Sequence, residues 1–367
     1  MSRTALAHAN TTRHLPFKVK YPSNIGFYAE VKKRVDAYLV AAAGKQGLSM
    51  YVKTAILFVW LLTSYGLLVA FASHWLIAGA LCISLGLAVT GVGFNVTHDS
   101  NHGAYSDRRL INKAMALTLD MVGASSYVWT HKHNTLHHRY TNVSGLDDDI
   151  EKVPWARFSP HQPRNLLNRF QHIYLWLLYG FLLFKWNFID DFTAIARGNI
   201  AGSPIPKPSA WDIVVLFLGK VFFFSWAFLL PMLFNPWWAV LAAYAVSAFV
   251  VGAVTSVVFQ LAHCVEEADF PTPKRDSSEM EKEWAVHQVE STVDFARENK
   301  LVCWYVGGLN FQIEHHLFPR VSHVHYPAIA QIVEETARAY SVRYFAHESI
   351  FSALGSHARW LRRMGTP

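Results

Sequence analysis

Two long stretches of this chain contain almost no charged residues, and the first runs from Thr54 to Thr97. Its 44 residues include no Asp, Glu, Lys or Arg. As a single helix this stretch would be about 66 Å long, whereas the hydrocarbon core of a bilayer is about 30 Å thick. The polar pair Ser73-His74 divides the stretch. The pattern therefore predicts two membrane spans, near 54–73 and 75–96, joined by a tight hairpin.

The second stretch runs from Ile213 to Cys264 and has one charge in its 52 residues, Lys220. Proline ends or kinks a helix because it lacks an amide hydrogen. We therefore expect a break at Asn235-Pro236 and two further spans, near 213–234 and 237–262. Lys220 lies near the start of its span, and we expect its long side chain to reach back to the membrane surface.

A shorter apolar run covers Ile173 to Phe184, and its 12 residues are too few to cross a bilayer. Lys185 and two aspartates follow it soon afterwards. We expect an interfacial helix, near 172–189, that lies in the membrane surface rather than across it.

The basic residues predict how the spans are oriented. Of the 33 Lys and Arg residues, 9 lie in 1–53, 12 in 98–212 and 11 in 264–367, and neither hairpin tip carries one. The positive-inside rule assigns such basic segments to the cytoplasm. We therefore expect a multi-pass membrane protein whose cytoplasmic cap is built from 1–53, 98–212 and 263–367. In a bacterium the membrane would be the plasma membrane.

The composition supports a membrane protein and excludes several other classes. The chain is 52% hydrophobic and only 16% charged, against about 25% charged residues in typical soluble proteins. A net charge of +7 can indicate nucleic-acid binding, but 13 Trp and 25 Phe in apolar runs fit a bilayer better, so we expect no nucleic-acid partner. Three cysteines without a CxxC pair exclude a disulfide framework and a cysteine-based metal site. No repeat or linker divides residues 1–367, which predicts a single domain.

Many of the 19 histidines fall in clusters at the predicted cytoplasmic ends of the spans. In the sequence HDSNH, His98 and His102 are four residues apart and would share one face of a helix. In HNTLHH, His133 and His137 repeat this spacing, and His138 would point about 100° further round the helix. Adjacent imidazoles that point in different directions favour two metal ions over one.

A third cluster, QIEHH, places Gln312, His315 and His316 on one helix face, and His263 ends the fourth predicted span. Each cluster alone is also typical of an ordinary polar surface. Together they give eight candidate metal ligands on one predicted side of the membrane: His98, His102, His133, His137, His138, His263, His315 and His316.

The size and type of this ligand set favour iron. Eight imidazoles are twice what a tetrahedral zinc site takes, and imidazole also suits iron. The chain has no HExxH sequence and no ExxH spacing, which disfavours a zinc protease and a carboxylate-bridged di-iron bundle. A histidine-rich centre of two iron ions, with O₂ as co-substrate acting on a lipid C–H bond, fits best.

The three boxes resemble those of the integral-membrane fatty acid desaturases. FNVTHDSNH, HNTLHHRYTN, EKEWAVHQ, GGLNFQIEHHLFP and HVHYP are similar to the bacterial and cyanobacterial Δ6-type acyl-lipid and linoleoyl-CoA branch, over about residues 35–365. The resemblance implies an all-α fold of four transmembrane helices in two hairpins, with a cytoplasmic helical cap that holds the di-iron site. It also implies that the eight histidines bind iron and that a cis double bond is introduced into an acyl chain.

Some positions depart from the family pattern or extend it. Gln312 stands where the common third box begins with His, which is the form of front-end desaturases and implies Δ6-like chemistry. Gln312 is therefore a further candidate ligand, although an amide binds iron less well than imidazole. Phe259 replaces an Asn that animal acyl-CoA desaturases carry, and Asn310 is a candidate to supply this polar group. Asp147 and Asp149 are candidates to orient ligand imidazoles, although both would also suit a solvated loop.

Other functions stay open at this point. An acyl hydroxylase, an acetylenase or a Δ9-type desaturase would share the histidine boxes, because the outcome depends on small differences in substrate placement. A metal transporter belongs to a different class and would carry ligands near the bilayer midplane. The spans hold only His74, at a hairpin tip, which disfavours transport.

The expected partners are a fatty acyl substrate, as acyl-lipid or acyl-CoA, and the lipid bilayer. The chain has no HPGG-type cytochrome b5 motif, no GxGxxG and no CxxC. Electrons are therefore expected from a separate ferredoxin or cytochrome b5-like protein with its reductase. The basic cap would attract an acidic donor and anionic lipid alike.

Overall fold

The structure is a computed structural model, and it describes residues 19–23, 25–42, 47–200, 202–274 and 276–366. The part of the expected cap that precedes residue 19, with His8 and His14, lies outside the described residues. In chain order the α-helices are α1 (Phe27–Ala41), α2 (Gly47–Phe71), α3 (Trp75–Val92), α4 (His98–His102), α5 (Arg109–Ala116), α6 (Thr118–Met121), α7 (Ser126–Thr130), α8 (Gln171–Tyr179), α9 (Leu182–Lys185), α10 (Asp191–Arg197), α11 (Ala210–Phe224), α12 (Leu230–Met232), α13 (Trp237–His263), α14 (Trp284–Ser291), α15 (Lys300–Tyr305), α16 (Gln312–Leu317), α17 (Tyr326–Ala339) and α18 (Ile350–Gly365).

Shorter elements connect these helices. Four segments are π-helical: Gly93–Thr97, His131–His137, Trp186–Asp190 and Ser225–Leu229. Two are 3₁₀-helical: Leu167–Phe170 and His323–His325. Two ladders of two-residue strands complete the fold: β1 (Asn199–Ile200) with β2 (Ser203–Pro204), antiparallel, and β3 (Asp294–Phe295) with β4 (Ala346–His347), parallel.

Four helical stretches in the described part of the chain are long and apolar enough to cross a membrane. They are Leu48–Phe71, Trp75–His102, Ala210–Met232 and Trp237–His263. These stretches overlap the four predicted spans over nearly their whole lengths, and the breaks fall at the two predicted hairpin tips. The all-α membrane fold predicted from the sequence is therefore confirmed.

The two spans that lead into histidine boxes pack directly against each other. Gly86 of α3 faces α13, and a Cβ atom at Gly86 would lie 2.7 Å from the Cβ of Val250 and 2.8 Å from the carbonyl oxygen of Ser247. Such a short approach is possible only because glycine has no side chain. As a result, His98 and His263 are carried to the same end of the bundle.

The segment expected to be one interfacial helix is instead a broken chain of short helices. After α8 the chain turns at Gly180, continues through α9 and a π-helical segment, and ends with α10 at Arg197. The break lies on α13, where a Cβ atom at Gly252 would be 2.5 Å from the Gly180 carbonyl oxygen. The prediction of a single helix was wrong because tertiary packing at two glycines interrupts it.

Lys220 does not reach the membrane surface, which corrects the sequence prediction. Its side chain is buried and donates to the carbonyl oxygens of Gly123 at 2.6 Å and Asn187 at 3.0 Å. It also pairs with the carboxylate of Asp191 at 2.7 Å. That carboxylate accepts the backbone N–H of Ser125 at 2.9 Å. The pair therefore ties α11 to α10 and to the start of α7.

Candidate metal centre and its cavity

The first histidine box continues directly from the second span through a π-helical turn. The segment Gly93–Thr97 widens the helix, so the amide of His98 donates to the carbonyl five residues earlier. Asn95 stabilises this turn by donating to the carbonyl oxygen of Tyr305 at 2.8 Å. Such bulges are frequent at functional sites. The rings of His98 and His102 then lie one turn apart, with centroids 4.7 Å from each other, as their spacing predicts.

The second box is a π-helix rather than the α-helix that its spacing suggested. The amide of His138 donates to the carbonyl of His133 at 3.1 Å, which is an i to i+5 hydrogen bond. The wider turn brings His138 back towards His133, with Nε2 atoms 3.3 Å apart. The rings of His133 and His137 stack with centroids 5.3 Å apart. The rings of His137 and His138 still point in different directions, as their adjacent positions predict, with planes 80° apart.

The third box lies on α16, and a glycine turn brings it to the first box. Gly307 has a φ of 62°, and a Cβ atom there would lie 2.5 Å from the carbonyl oxygen of Phe94. The start of α16 is fixed by Asp294, which accepts the backbone N–H of Ile313 at 3.0 Å. His316 consequently lies beside the end of α13, with its ring centroid 5.0 Å from that of His263.

All eight predicted histidines converge, and none is more than 8% exposed. Their ligating nitrogens form overlapping groups within 4.8 Å: His98, His102, His133 and His315; His137, His263 and His316; His138, His315 and His316. Two groups that share few members can hold two metal ions close together. The amide nitrogen of Gln312 lies 3.0 Å from Nε2 of His263, at the edge of the second group.

The hydrogen bonding of these imidazoles fits a metal centre. Buried ring nitrogens normally have a partner, yet Nε2 of His102, His315 and His316 has none in the described part of the chain. Nε2 of His98 lies 3.2 Å from Nε2 of His133. Imidazole nitrogens at this separation can ligate one ion. The residues present therefore fit the metal ions that the ligand chemistry implies.

Carboxylate and amide oxygens hold several rings in the tautomer that metal binding requires. Both oxygens of Asp147 accept the Nδ1 proton of His137 at 3.1 Å. The amide oxygen of Gln288 accepts from Nδ1 of His316 at 2.8 Å. In both cases Nε2 is left available for a metal ion.

Asp149 takes a more distant position at this site. It lies 3.6 Å from Nδ1 of His137 and pairs at 2.9 Å with the partly buried ammonium of Lys132. Asp148 accepts a second bond from the same ammonium, also at 2.9 Å. The acidic loop is thus partly buried and ion-paired rather than fully solvated.

Sequence reasoning missed further residues around the cluster. Gln288 lies in EKEWAVHQ, and Tyr326 lies in HVHYP, where its hydroxyl is 3.3 Å from Nδ1 of His315. His323 of the same motif contacts Asp99 of the first box at 2.8 Å. Both motifs were visible in the sequence, but nothing in their spacing showed which histidine each would reach.

Asn310 does not lie at the position that Phe259 occupies beside the histidine cluster. The amide nitrogen of Asn310 donates to the carbonyl oxygen of Phe295 at 3.0 Å and to the sulfur of Cys303 at 3.2 Å. The ring of Phe259 instead stacks on His133, with centroids 6.4 Å apart. Trp129 stacks closer, at 4.4 Å from the same imidazole, and so encloses the cluster with apolar surface.

Burial sets the charge state of the clustered imidazoles. It lowers the pKa of His133, His138, His315 and His316 well below the usual value, and neighbouring imidazoles lower each further. These rings are therefore neutral, as metal ligands must be. Burial acts most strongly to lower the pKa of His137, but the carboxylates of Asp147 and Asp149 together outweigh it, so this pKa is raised.

A cavity of about 750 Å³, here called the main cavity, reaches the cluster from the side of α8 and α9. Its walls are mainly aliphatic and aromatic, and its inner end includes His133, His137 and His263. Towards its outer end are exposed Trp155 and Phe188. The volume lies within the range of about 300–1,000 Å³ that small-molecule sites have.

These features define a class of protein, namely membrane enzymes that place a histidine-rich metal centre beside a cavity for an apolar substrate. The chain belongs to the fatty acid desaturase family. A profile of that family, described as "Fatty acid desaturase", matches residues 73–348. The protein is therefore an oxidoreductase of this family, and the transporter alternative is excluded.

Similar proteins cover almost the whole chain. An sn-1 linoleoyl-lipid 6-desaturase of Arthrospira platensis is 39% identical over 352 residues, which are 95% of this chain and 95% of that protein. An enzyme with the same name from Synechocystis is 34% identical over 95% of this chain and 98% of its own length. An acyl-lipid (8-3)-desaturase of Physcomitrium patens is 36% identical over 93% of this chain and 72% of its own length.

Proposed function

We propose that this enzyme introduces a cis double bond near the carboxyl end of an acyl chain carried by a membrane lipid. The observation that carries the proposal is the meeting of the main cavity with the histidine cluster at His133, His137 and His263. The names of the cyanobacterial relatives support a Δ6-like position and a lipid-linked substrate.

Two iron ions would be held by the eight clustered histidines, with Gln312 as a neutral group beside His263. When bound, iron would supply the activation of O₂ that removal of hydrogen from an unactivated C–H bond requires. The protein's own residues position the partners. Asp147 and Gln288 orient His137 and His316. Trp129 and Phe259 cover the cluster and exclude water beside the substrate chain.

The front-end position is supported by the form of the third box and by the relatives. An enzyme that acts close to the carboxyl end must hold that end near the metals while the longer methyl end is buried further in. A second apolar space beside His98, between α3 and α13, is lined by Val89, Thr255 and Phe259. Phe259 also lines the main cavity, so its ring lies between the two spaces, and the methyl end would have to pass it to enter the second one.

Production of the protein in a host that lacks polyunsaturated fatty acids tests the proposal. Linoleate and oleate are supplied separately, and new double bonds are located by mass spectrometry of derivatised products. New Δ6 unsaturation is expected from linoleate, in the lipid fraction. Conversion of stearate to oleate with linoleate untouched would contradict front-end chemistry. A hydroxylated product without a new double bond would contradict the proposal that the enzyme is a desaturase.

The metal content of the purified enzyme gives a second test. About two irons per chain are expected, because two of the ligand groups, the one with His98 and the one with His263, have no residue in common. Stoichiometric zinc without iron would contradict the di-iron proposal.

A further inference from the structure

A second pocket, here called the relay pocket, opens on a different face of the cap. It has a volume of about 250 Å³, and its walls include Lys53, Trp304, His323 and Val324. We propose that an acidic one-electron carrier protein docks over the relay pocket and delivers electrons to the metal centre there. This inference rests on the proposed function, because only an O₂-reducing centre needs such a carrier.

A chain of polar contacts leads from the relay pocket to the histidine cluster. The ammonium of Lys53 lies 3.1 Å from Nε2 of His323, and Nδ1 of His323 lies 2.8 Å from Oδ2 of Asp99. The other oxygen of Asp99 is 3.8 Å from Nδ1 of His98. All four side chains are buried. Buried charged groups are costly unless they are paired or have a function, and the acyl chemistry uses neither Lys53 nor His323.

The relay pocket and the main cavity share no lining residue. The main cavity reaches the cluster at His133, His137 and His263, whereas the contact chain from the relay pocket ends at His98. A carrier on this face would therefore leave the acyl chain in place. Electrons can arrive while the substrate is bound.

The charges around the relay pocket suit an acidic partner. Lys300 and Arg320 are exposed, and neither forms an ion pair with a carboxylate in the described part of the chain. Lys300 precedes Trp304 by about one helical turn, and Arg320 is three residues before His323.

Few acids lie beside these two bases in the sequence. Glu298 is two residues before Lys300, and no acid lies within five residues of Arg320. The segments that carry Trp304 and His323 therefore keep a positive excess.

The reaction determines what the carrier must do. Two hydrogens leave a CH₂–CH₂ unit, and O₂ becomes two waters, which requires two electrons and two protons from outside. A one-electron carrier must therefore bind twice per double bond and leave between. Small, charge-steered interfaces suit this exchange, because complementary charge raises association rates more than affinity.

Binding of oxidised plant-type [2Fe–2S] ferredoxin to the intact enzyme in nanodiscs tests the docking surface. The double variant Lys300→Glu/Arg320→Glu is expected to raise Kd about tenfold at low salt and to weaken its salt dependence. The matched control is Arg363→Glu, a reversal of an exposed charge on α18. It is expected to leave Kd within about twofold, since α18 contributes no lining residue to the relay pocket. Equal losses in both variants, or none in the double variant, would overturn the proposal.

The contact chain has its own test. Lys53→Met keeps the volume of the side chain but removes its ammonium. With a normal iron content, this variant is expected to oxidise pre-reduced ferredoxin several-fold more slowly at saturating ferredoxin, in stopped-flow measurements. An unchanged rate would remove Lys53 from the electron route.

Two further measurements separate this proposal from others. Turnover of the wild-type enzyme driven by dithionite needs no docking surface, so its absence would contradict the proposed function and not the docking surface. If the double variant binds ferredoxin normally but binds phosphatidylglycerol vesicles more weakly, the surface contacts lipid and the docking proposal is wrong.

Discussion

Each clustered histidine depends on its neighbours for orientation and charge state. The variant His137→Ala removes a ring whose nitrogens meet Asp147 on one side and the group with His263 and His316 on the other. We expect loss of iron and a fall in turnover of more than about 100-fold, since even loss of an outer partner costs roughly 10–100-fold. Iron analysis and product formation measure both effects.

His161→Ala is the matched control for this prediction. Its ring is exposed and contacts the carbonyl oxygen of Phe270 at 2.8 Å, away from the cluster. His357 also belongs to no cluster, but it is buried and hydrogen-bonded to the hydroxyl of Tyr179 and the carbonyl of Cys264. Its replacement would disturb packing. Full activity of His137→Ala would contradict the ligand set.

A second prediction concerns a residue that acts through a ligand. Asp147→Asn keeps the shape of the side chain but replaces a carboxylate that accepts the Nδ1 proton of His137 through both oxygens. We expect iron affinity to fall by about 10–100-fold, as measured by competition with a chelator. Asp148→Asn serves as control, because Asp148 pairs with Lys132 and Lys152 rather than with a histidine. Equal losses of iron affinity in the two variants would show that the affinity depends on the acidic loop as a whole and not on the hydrogen bond between Asp147 and His137.

Sequence spacing predicted the eight histidines but not the shape of the helices that carry them. A π-helical turn precedes the first box, and the second box is itself π-helical, which in HNTLHH moves His138 towards His133. The i, i+4 rule assumes α-helical geometry, so it could not reveal this change. The sequence also could not show that Gln288 contacts His316 or that Tyr326 contacts His315, because each contact joins residues on two separate helices.

At the scale of elements, a buried ion pair connects the third span to the helices around the main cavity. Lys220→Met leaves the carboxylate of Asp191 buried without its cation, and unpaired buried charges cost about 3–5 kcal/mol. We expect a melting temperature lower by several degrees. The control variant Lys207→Met, at an exposed lysine before α11, should leave the melting temperature unchanged.

The double variant Lys220→Met/Asp191→Asn checks the cause of that loss. Replacing both charges removes the uncompensated carboxylate, so part of the stability is expected to return. A melting temperature of the double variant at or below that of Lys220→Met would mean that the lost hydrogen bonds to Gly123 and Asn187, rather than the charge, dominate. From sequence alone Lys220 was expected at the membrane surface. No sequence pattern shows that Asp191, which lies 29 residues earlier, would face it.

At the scale of the whole molecule, the length of the apolar stretches, together with one polar pair and one proline, was sufficient to predict the spans. The broken helices α8 to α10 were not predictable, because their breaks depend on contacts with α13, which is far away in the sequence.

The two hairpin tips carry exposed tryptophans, with Trp75 at 79%, Trp237 at 65% and Trp238 at 62%. Tryptophan concentrates at membrane–water interfaces. The tips are therefore suited to lie at one interface, opposite the basic cap.

This arrangement leads to a prediction about sidedness. If all four apolar stretches cross the membrane, both tips lie on the side opposite the cap, and the positive-inside rule predicts that the cap is cytoplasmic. His74→Cys and Phe234→Cys, in a background with Cys303→Ser, should react with a membrane-impermeant maleimide added to intact cells. Lys113→Cys, on α5 of the cap, should react only after the cells are opened. Labelling of Lys113→Cys from outside, or protection of either tip, would contradict the four-span orientation. In that case the broken segment α8 to α10 would be the first candidate for an extra crossing.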